Sequence, residues 1–139
     1  MTQKRRDDSG TEYGKWTREQ PGLDSALGFV ATNIDWVWRN YKTGLWMLKE
    51  EKRHRWLPKI YQVQMYQLVD ACCRSSADYR GFHVVVFEET SPDDGWVYLD
   101  GAYITKSELV QFLQFEAPDM FYKSWFPPKG LLRLPENVP

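Results

Sequence analysis

Residues 33–52 read NIDWVWRNYKTGLWMLKEEK: two runs rich in aromatic and aliphatic residues, 33–40 and 45–52, on either side of Tyr41-Lys42-Thr43-Gly44. A turn-like tetrapeptide ending in glycine between two β-prone runs predicts a β-hairpin. A Lys42-Thr43 turn and a longer Tyr41–Gly44 loop give the same register, in which opposed residue numbers sum to 85. Asp35 is then expected directly opposite Glu50, Val37 opposite Leu48, Arg39 opposite Trp46 and Asn33 opposite Lys52. Side chains alternate by two along a strand, so Asp35, Glu50 and Lys52 share one face.

After this hairpin, Pro58 opens KIYQVQMYQLVDACCRSS, where Tyr61, Met65, Leu68 and Cys72 recur at helical spacing, which predicts a helix with that apolar face. GFHVVVFE, residues 81–88, reads as a buried strand. Trp96–Leu99 and Ala102–Ile104 flank Asp100-Gly101, a pair suited to a type I′ turn, so a second, shorter hairpin is expected. Thr105 and Glu108 have capping-box spacing ahead of Leu109, Phe112 and Leu113, predicting a helix from about 106 to 115. Trp36, Trp38 and Trp46 are expected to fill a core or an interface. The proline- and aromatic-rich end (Tyr122, Trp125, Phe126, Pro127, Pro128) is expected to wrap onto the domain or onto a second subunit. Residues 1–20, with KRR, DDSG and a Gln20-Pro21-Gly22 break, read as a flexible arm ordering near Trp16, and 21–139 as a single domain.

Composition narrows the function classes. The chain has 139 residues, 42% hydrophobic, which suits one domain with one core. Its longest apolar runs, such as Val84–Phe87, fall far short of the roughly 20 residues of a membrane span, and the first ten residues lack the apolar stretch of a signal peptide. No membrane partner and a cytoplasmic location are therefore expected. The two cysteines, Cys72 and Cys73, are adjacent and make neither a disulfide framework nor a CxxC metal site. His54 and His83 stand apart without a third ligand, which argues against a zinc site; His83 is expected to be a strand residue with an ordinary hydrogen bond. Neither a P-loop nor a glycine-elbow serine is present. The net charge is −1, yet from Arg39 to Lys59 seven cations stand against Glu50 and Glu51. A solvated surface and a phosphate-binding patch both fit that window.

The chemistry concentrates at the hairpin. Two opposed carboxylates have Cβ atoms about 4.5–5.5 Å apart and repel unless a proton, a cation or water compensates. Magnesium takes oxygen ligands, commonly one or two carboxylates completed by water and phosphate, and Asp35 with Glu50 supplies such a pair. Lys52 is placed to orient a nucleophile or offset charge on a phosphoryl oxygen. The plainer alternative is an aspartate near a turn beside a charged strand end.

Asp35 on the first strand, Glu50-x-Lys52 on the second, then a helix carrying Gln62 and Tyr66 in a Q-x-x-x-Y spacing, resembles the PD-(D/E)XK nuclease superfamily and its RecB-like branch. The order hairpin, helix, strand is similar to that superfamily's core, over about residues 25–88. The resemblance implies an α/β fold: a restriction-endonuclease-like core with a central mixed β-sheet flanked by helices. It implies a Mg2+-dependent DNA endonuclease, with Mn2+ able to substitute. Asp35, Glu50 and the Glu51 backbone carbonyl would hold the metal, Lys52 would act at the attacking water, and Gln62 and Tyr66 would support the site or touch the DNA backbone. Arg53, Arg55 and Lys59 would bind phosphates. Small single-domain members include Holliday junction resolvases and phage nucleases, which often dimerise, so a structure-selective enzyme, a homodimer and a role in DNA recombination are the expectations. The chain departs from the pattern in having Asn33-Ile34 rather than a proline before Asp35, and in offering only Glu19, beside Pro21-Gly22, for a first-helix glutamate. The alternative function is a non-catalytic nucleic-acid-binding or assembly protein on the same core.

Overall fold

The computed structural model of the chain describes residues 11–54 and 59–128. It divides into two compact units at Asn33/Ile34, not near residue 20. In the first unit, α1 (Glu12–Glu19) starts at Thr11, whose hydroxyl accepts the Gly14 N–H at 2.8 Å. Tyr13 and Trp16, one turn apart, stack at 6.1 Å. Single 3-10 turns follow at Pro21–Leu23 and Ser25–Leu27. Residues 12–19, expected within a flexible arm, are thus helical, because a side-chain cap and an aromatic i, i+3 pair support a short helix.

The second unit is mixed α/β, with an open five-stranded sheet in the order β1 (Trp36–Arg39), β2 (Trp46–Arg53), β3 (Tyr79–Phe87), β4 (Val97–Leu99), β5 (Ala102–Ile104). β2 and β3 are parallel, joined through α2 (Ile60–Cys73), and the other neighbours are antiparallel. The first hairpin has the expected register: Trp36 faces Lys49, Val37 Leu48, Trp38 Met47 and Arg39 Trp46. Its loop is the four-residue Tyr41–Gly44, held by the Asn40 side chain accepting the Lys42 and Thr43 N–H groups, with Gly44 at φ 85°. In the second hairpin Asp100 and Gly101 have φ of 51° and 81°, as a type I′ turn requires.

Each sheet face has its own core. Leu48, Phe82, Val84, Val86 and Tyr98 pack with Tyr66 of α2. On the other face Met47, Val85, Val97, Leu99 and Ile104 pack with Leu109 and Phe112 of α3 (Lys106–Leu113). The Thr105/Glu108 capping box closes reciprocally at 3.1 and 2.9 Å. Thr105→Ala should therefore lower stability by about 1 kcal/mol in urea unfolding.

The structure corrects two sequence expectations about packing. The inward face of α2 carries Val63, Tyr66 and Asp70, while Tyr61 and Leu68 are exposed. Both stripes have helical spacing, and the one containing a carboxylate is buried because Asp70 finds three donors there: Tyr79 Oη at 2.7 Å, Arg74 Nη2 at 2.7 Å and Ser124 Oγ at 2.5 Å. Of the hairpin tryptophans, Trp46 packs in the core against Tyr79, ring centroids 4.8 Å apart. Trp36 and Trp38 stay partly exposed on edge strand β1 with the Lys49 ammonium over their rings at 5.2 and 4.8 Å.

The C-terminal segment folds back on its own domain. β4 pairs only with Val85–Phe87, and Ser124 and Trp125 take up the peptide groups of Phe82: its N–H donates to Ser124 Oγ and its carbonyl accepts from the Trp125 N–H. Phe126 stacks on the Phe82 ring at 5.7 Å.

A candidate metal centre at the end of strand β2

The aspartate of the hairpin lies one residue before β1, not within it. In an antiparallel pair, hydrogen-bonded positions recur every second residue, and the Asn40 N–H donates to the Leu45 carbonyl at 2.9 Å. Position 51 therefore turns its peptide groups toward the β1 edge, where the ladder would need residue 34. Instead the Asp35 carboxylate takes that place, its Oδ2 accepting the Glu51 N–H at 2.8 Å. A side chain replacing a ladder carbonyl is what brings Asp35 beside Glu50.

Glu50 is 1% exposed, in a sheet position paired with Val84. Its Oε2 lies 3.8 Å from Lys52 Nζ, and its Oε1 is buried with no hydrogen-bond partner among the described residues. Burial first, and then the Asp35 carboxylate, push the Glu50 carboxyl up to about 8; Lys52 opposes the shift without cancelling it. Ionising this group beside a second carboxylate in a buried position costs free energy, so the site favours positive charge between the two, a proton or a cation. Two acidic oxygens at an edge with an adjacent backbone carbonyl suit a hard divalent cation. Among the described residues no group of three or more His, Cys, Asp or Glu side chains gathers in one place, so Asp35 and Glu50 form a two-carboxylate set.

The other sequence-selected residues fall in different places. The Glu51 side chain points to the opposite sheet face and pairs with Arg53 at 3.7 Å, so only its backbone can join the site. Gln62 is half-buried, one turn before Tyr66, which is fully buried and stacked on Phe82 at 4.6 Å. Arg53 is exposed on the face opposite Glu50 and Lys59 is exposed before α2. Arg55, like Pro58, lies outside the described residues.

Sequence reasoning missed the polar network behind β3. His83 is fully buried, its Nδ1 2.6 Å from Asp100 Oδ2 and its Nε2 2.7 Å from the Arg80 carbonyl. Both ring nitrogens face oxygen acceptors, a bridge far from an ordinary single hydrogen bond. The only signal in the sequence was a histidine inside an apolar run, which does not name its partners.

No helix among the described residues is long and apolar enough to cross a membrane. No family model matches this chain, and no curated protein or solved structure matches it.

Proposed function

We propose that the chain is a divalent-metal-dependent nuclease that hydrolyses DNA phosphodiester bonds, with Asp35, Glu50 and Lys52 at its centre. The observation that carries this reading is the buried Glu50 carboxyl, whose proton affinity is raised to about 8 by burial and by Asp35, with Lys52 Nζ 3.8 Å away. A hydrophobic side chain of the same volume would cost less here, so the carboxylate is better explained by a ligand than by stability.

Asp35 and Glu50, with the Glu51 carbonyl, would hold Mg2+ or Mn2+. When bound, such a cation activates water and offsets charge on a phosphoryl oxygen. Lys52, mostly shielded and tethered to Glu50, positions its ammonium where the attacking water or a developing phosphorane oxygen would sit. Asp35 is held by the Glu51 N–H, which fixes the carboxylate without using both its oxygens. Gln62 and Tyr66 of α2 would support this cluster, Tyr66 from within the core. Exposed Lys59 offers a phosphate contact that would weaken with salt. The form we propose is a structure-selective, resolvase-like enzyme acting as a homodimer.

Cleavage of end-labelled duplex, single-stranded and four-way-junction DNA with magnesium, manganese or EDTA tests this. Metal-dependent cutting is expected, lost in Asp35→Asn and reduced at least about a hundredfold in Lys52→Ala. Cutting that survives Asp35→Asn, or none on any substrate, would transfer the assignment to a non-catalytic binding or assembly protein.

A further inference from the structure

At the opposite end of the β2–β3 pair from Glu50, a cavity of about 480 Å³ opens between the end of α2, the start of β3 and the C-terminal segment. Arg74, Arg80 and Lys123 line it together with Asp119, Tyr122 and Ser124. We propose that this cavity binds a phosphomonoester carrying hydroxyl groups, of the nucleotide or sugar-phosphate class. The inference does not depend on the nuclease reading.

Two features support it. The two arginines are held in place by the fold. Arg74 is anchored to the buried Asp70 carboxylate at 2.7 Å, and a guanidinium so held still presents further N–H donors. Arg80 Nη1 donates to the carbonyls of Ala77 and Tyr79 at 2.9 and 3.2 Å, so backbone dipoles fix it and its full charge is kept. The backbone is specially shaped here as well. Between the pairs Trp46–Tyr79 and Leu48–Phe82, β3 carries two residues against one, a bulge at Arg80-Gly81. The bulge is braced from below, where the Arg80 carbonyl meets His83 Nε2, whose ring is in turn bonded to Asp100. Such a bulge re-aims the Arg80 side chain away from the sheet.

Size and rim chemistry choose the ligand. The volume lies in the range of small-molecule sites and exceeds what a bare phosphate fills. Asp119 would repel an oxyanion placed against it but accepts hydrogen bonds from hydroxyls, so the ligand presents its phosphate to Arg74, Arg80 and Lys123 and its hydroxyls to Asp119.

The test is calorimetric titration of the full chain in EDTA with adenosine 5′-monophosphate, inorganic phosphate and adenosine. Saturable binding of the monophosphate is expected, weaker for phosphate, none for adenosine, and weakening as salt rises. Arg80→Ala and Lys123→Ala should each weaken it roughly three- to tenfold, whereas Asp35→Asn should bind as the wild type. Asp119→Ala should weaken the monophosphate but not inorganic phosphate. Because Lys123 is exposed, its variant keeps the test intact should Arg80→Ala fail to fold. Absence of saturable binding to the wild type, or binding undiminished in Arg80→Ala and Lys123→Ala, would overturn the proposal. An oligonucleotide bound more tightly with a 5′-phosphate than without one would make a nucleic-acid end the source of the group; tighter binding of the monophosphate than of either would make it the free nucleotide.

Discussion

Glu50→Gln is expected to stabilise the metal-free protein at pH 9 while abolishing metal-dependent cleavage. In the folded chain the Glu50 carboxyl is raised from 4.5 to about 8, first by burial and then by Asp35, so the native state holds its proton more tightly than the unfolded chain does. The associated stability is fully present below pH 4.5 and is lost as pH rises through about 8. The amount at stake is on the order of 4 kcal/mol. In EDTA, the wild type should therefore lose stability between pH 5 and 9, whereas Glu50→Gln, which keeps the shape without the charge, should show a flatter profile. At pH 9 the variant should melt higher by on the order of 10 °C. Adding magnesium should raise the melting temperature of the wild type and leave the variant unmoved, because a ligand that binds only the folded state stabilises by mass action. A wild-type profile flat across this range, or a variant that melts lower at pH 9, would remove the unsatisfied carboxylate as the basis of the site.

The second large effect is expected at Gly81. Its φ is +97°, and a Cβ there would lie 2.5 Å from the Tyr122 carbonyl oxygen and 2.9 Å from His83 Nε2. Both neighbours are fixed, one as backbone and the other by bonds to Asp100 and Arg80. Gly81→Ala must then combine left-handed backbone strain with a clash that no rotamer relieves, a loss of roughly 2–4 kcal/mol. Chemical denaturation of the variant measures it, with Gly22→Ala, where nothing lies within 4 Å, as the control expected to change stability by less than about 0.5 kcal/mol. A Gly81→Ala protein as stable as the control would show that the bulge and the segment crossing it are not held as described.

Local signals carried much of the fold. The Tyr41–Gly44 loop sets the hairpin register because side-chain alternation leaves no intermediate pairing; the ladder ends at Trp36–Lys49, and the bond from the Glu51 N–H to the Asp35 carboxylate carries Asp35 to Glu50. The Thr105/Glu108 box is similarly self-contained, since it is satisfied by atoms within four residues, and the Asp100-Gly101 pair announces its turn by residue type, although Asp100 takes its hydrogen-bond partners from distant His83 and Val84. The inward face of α2 was not legible. Tyr61, Met65, Leu68 and Cys72 make as good a helical stripe as Val63, Tyr66 and Asp70, and only the donors of Arg74, Tyr79 and Ser124, the last fifty-four residues away, make the second one the better to bury.

The same division runs through both candidate sites. Sequence alone determined which residues stand on which strand face, because pleat and turn are properties of neighbouring peptides. Tertiary structure decided what those residues experience. Glu50 becomes a buried carboxyl with a raised proton affinity only because the folded chain removes it from water beside Asp35. Arg74, Arg80 and Lys123 become one cavity only because the C-terminal segment returns to the edge of β3 that β4 leaves unpaired. Desolvation and convergence of charge depend on atoms distant in sequence, and no local pattern encodes them.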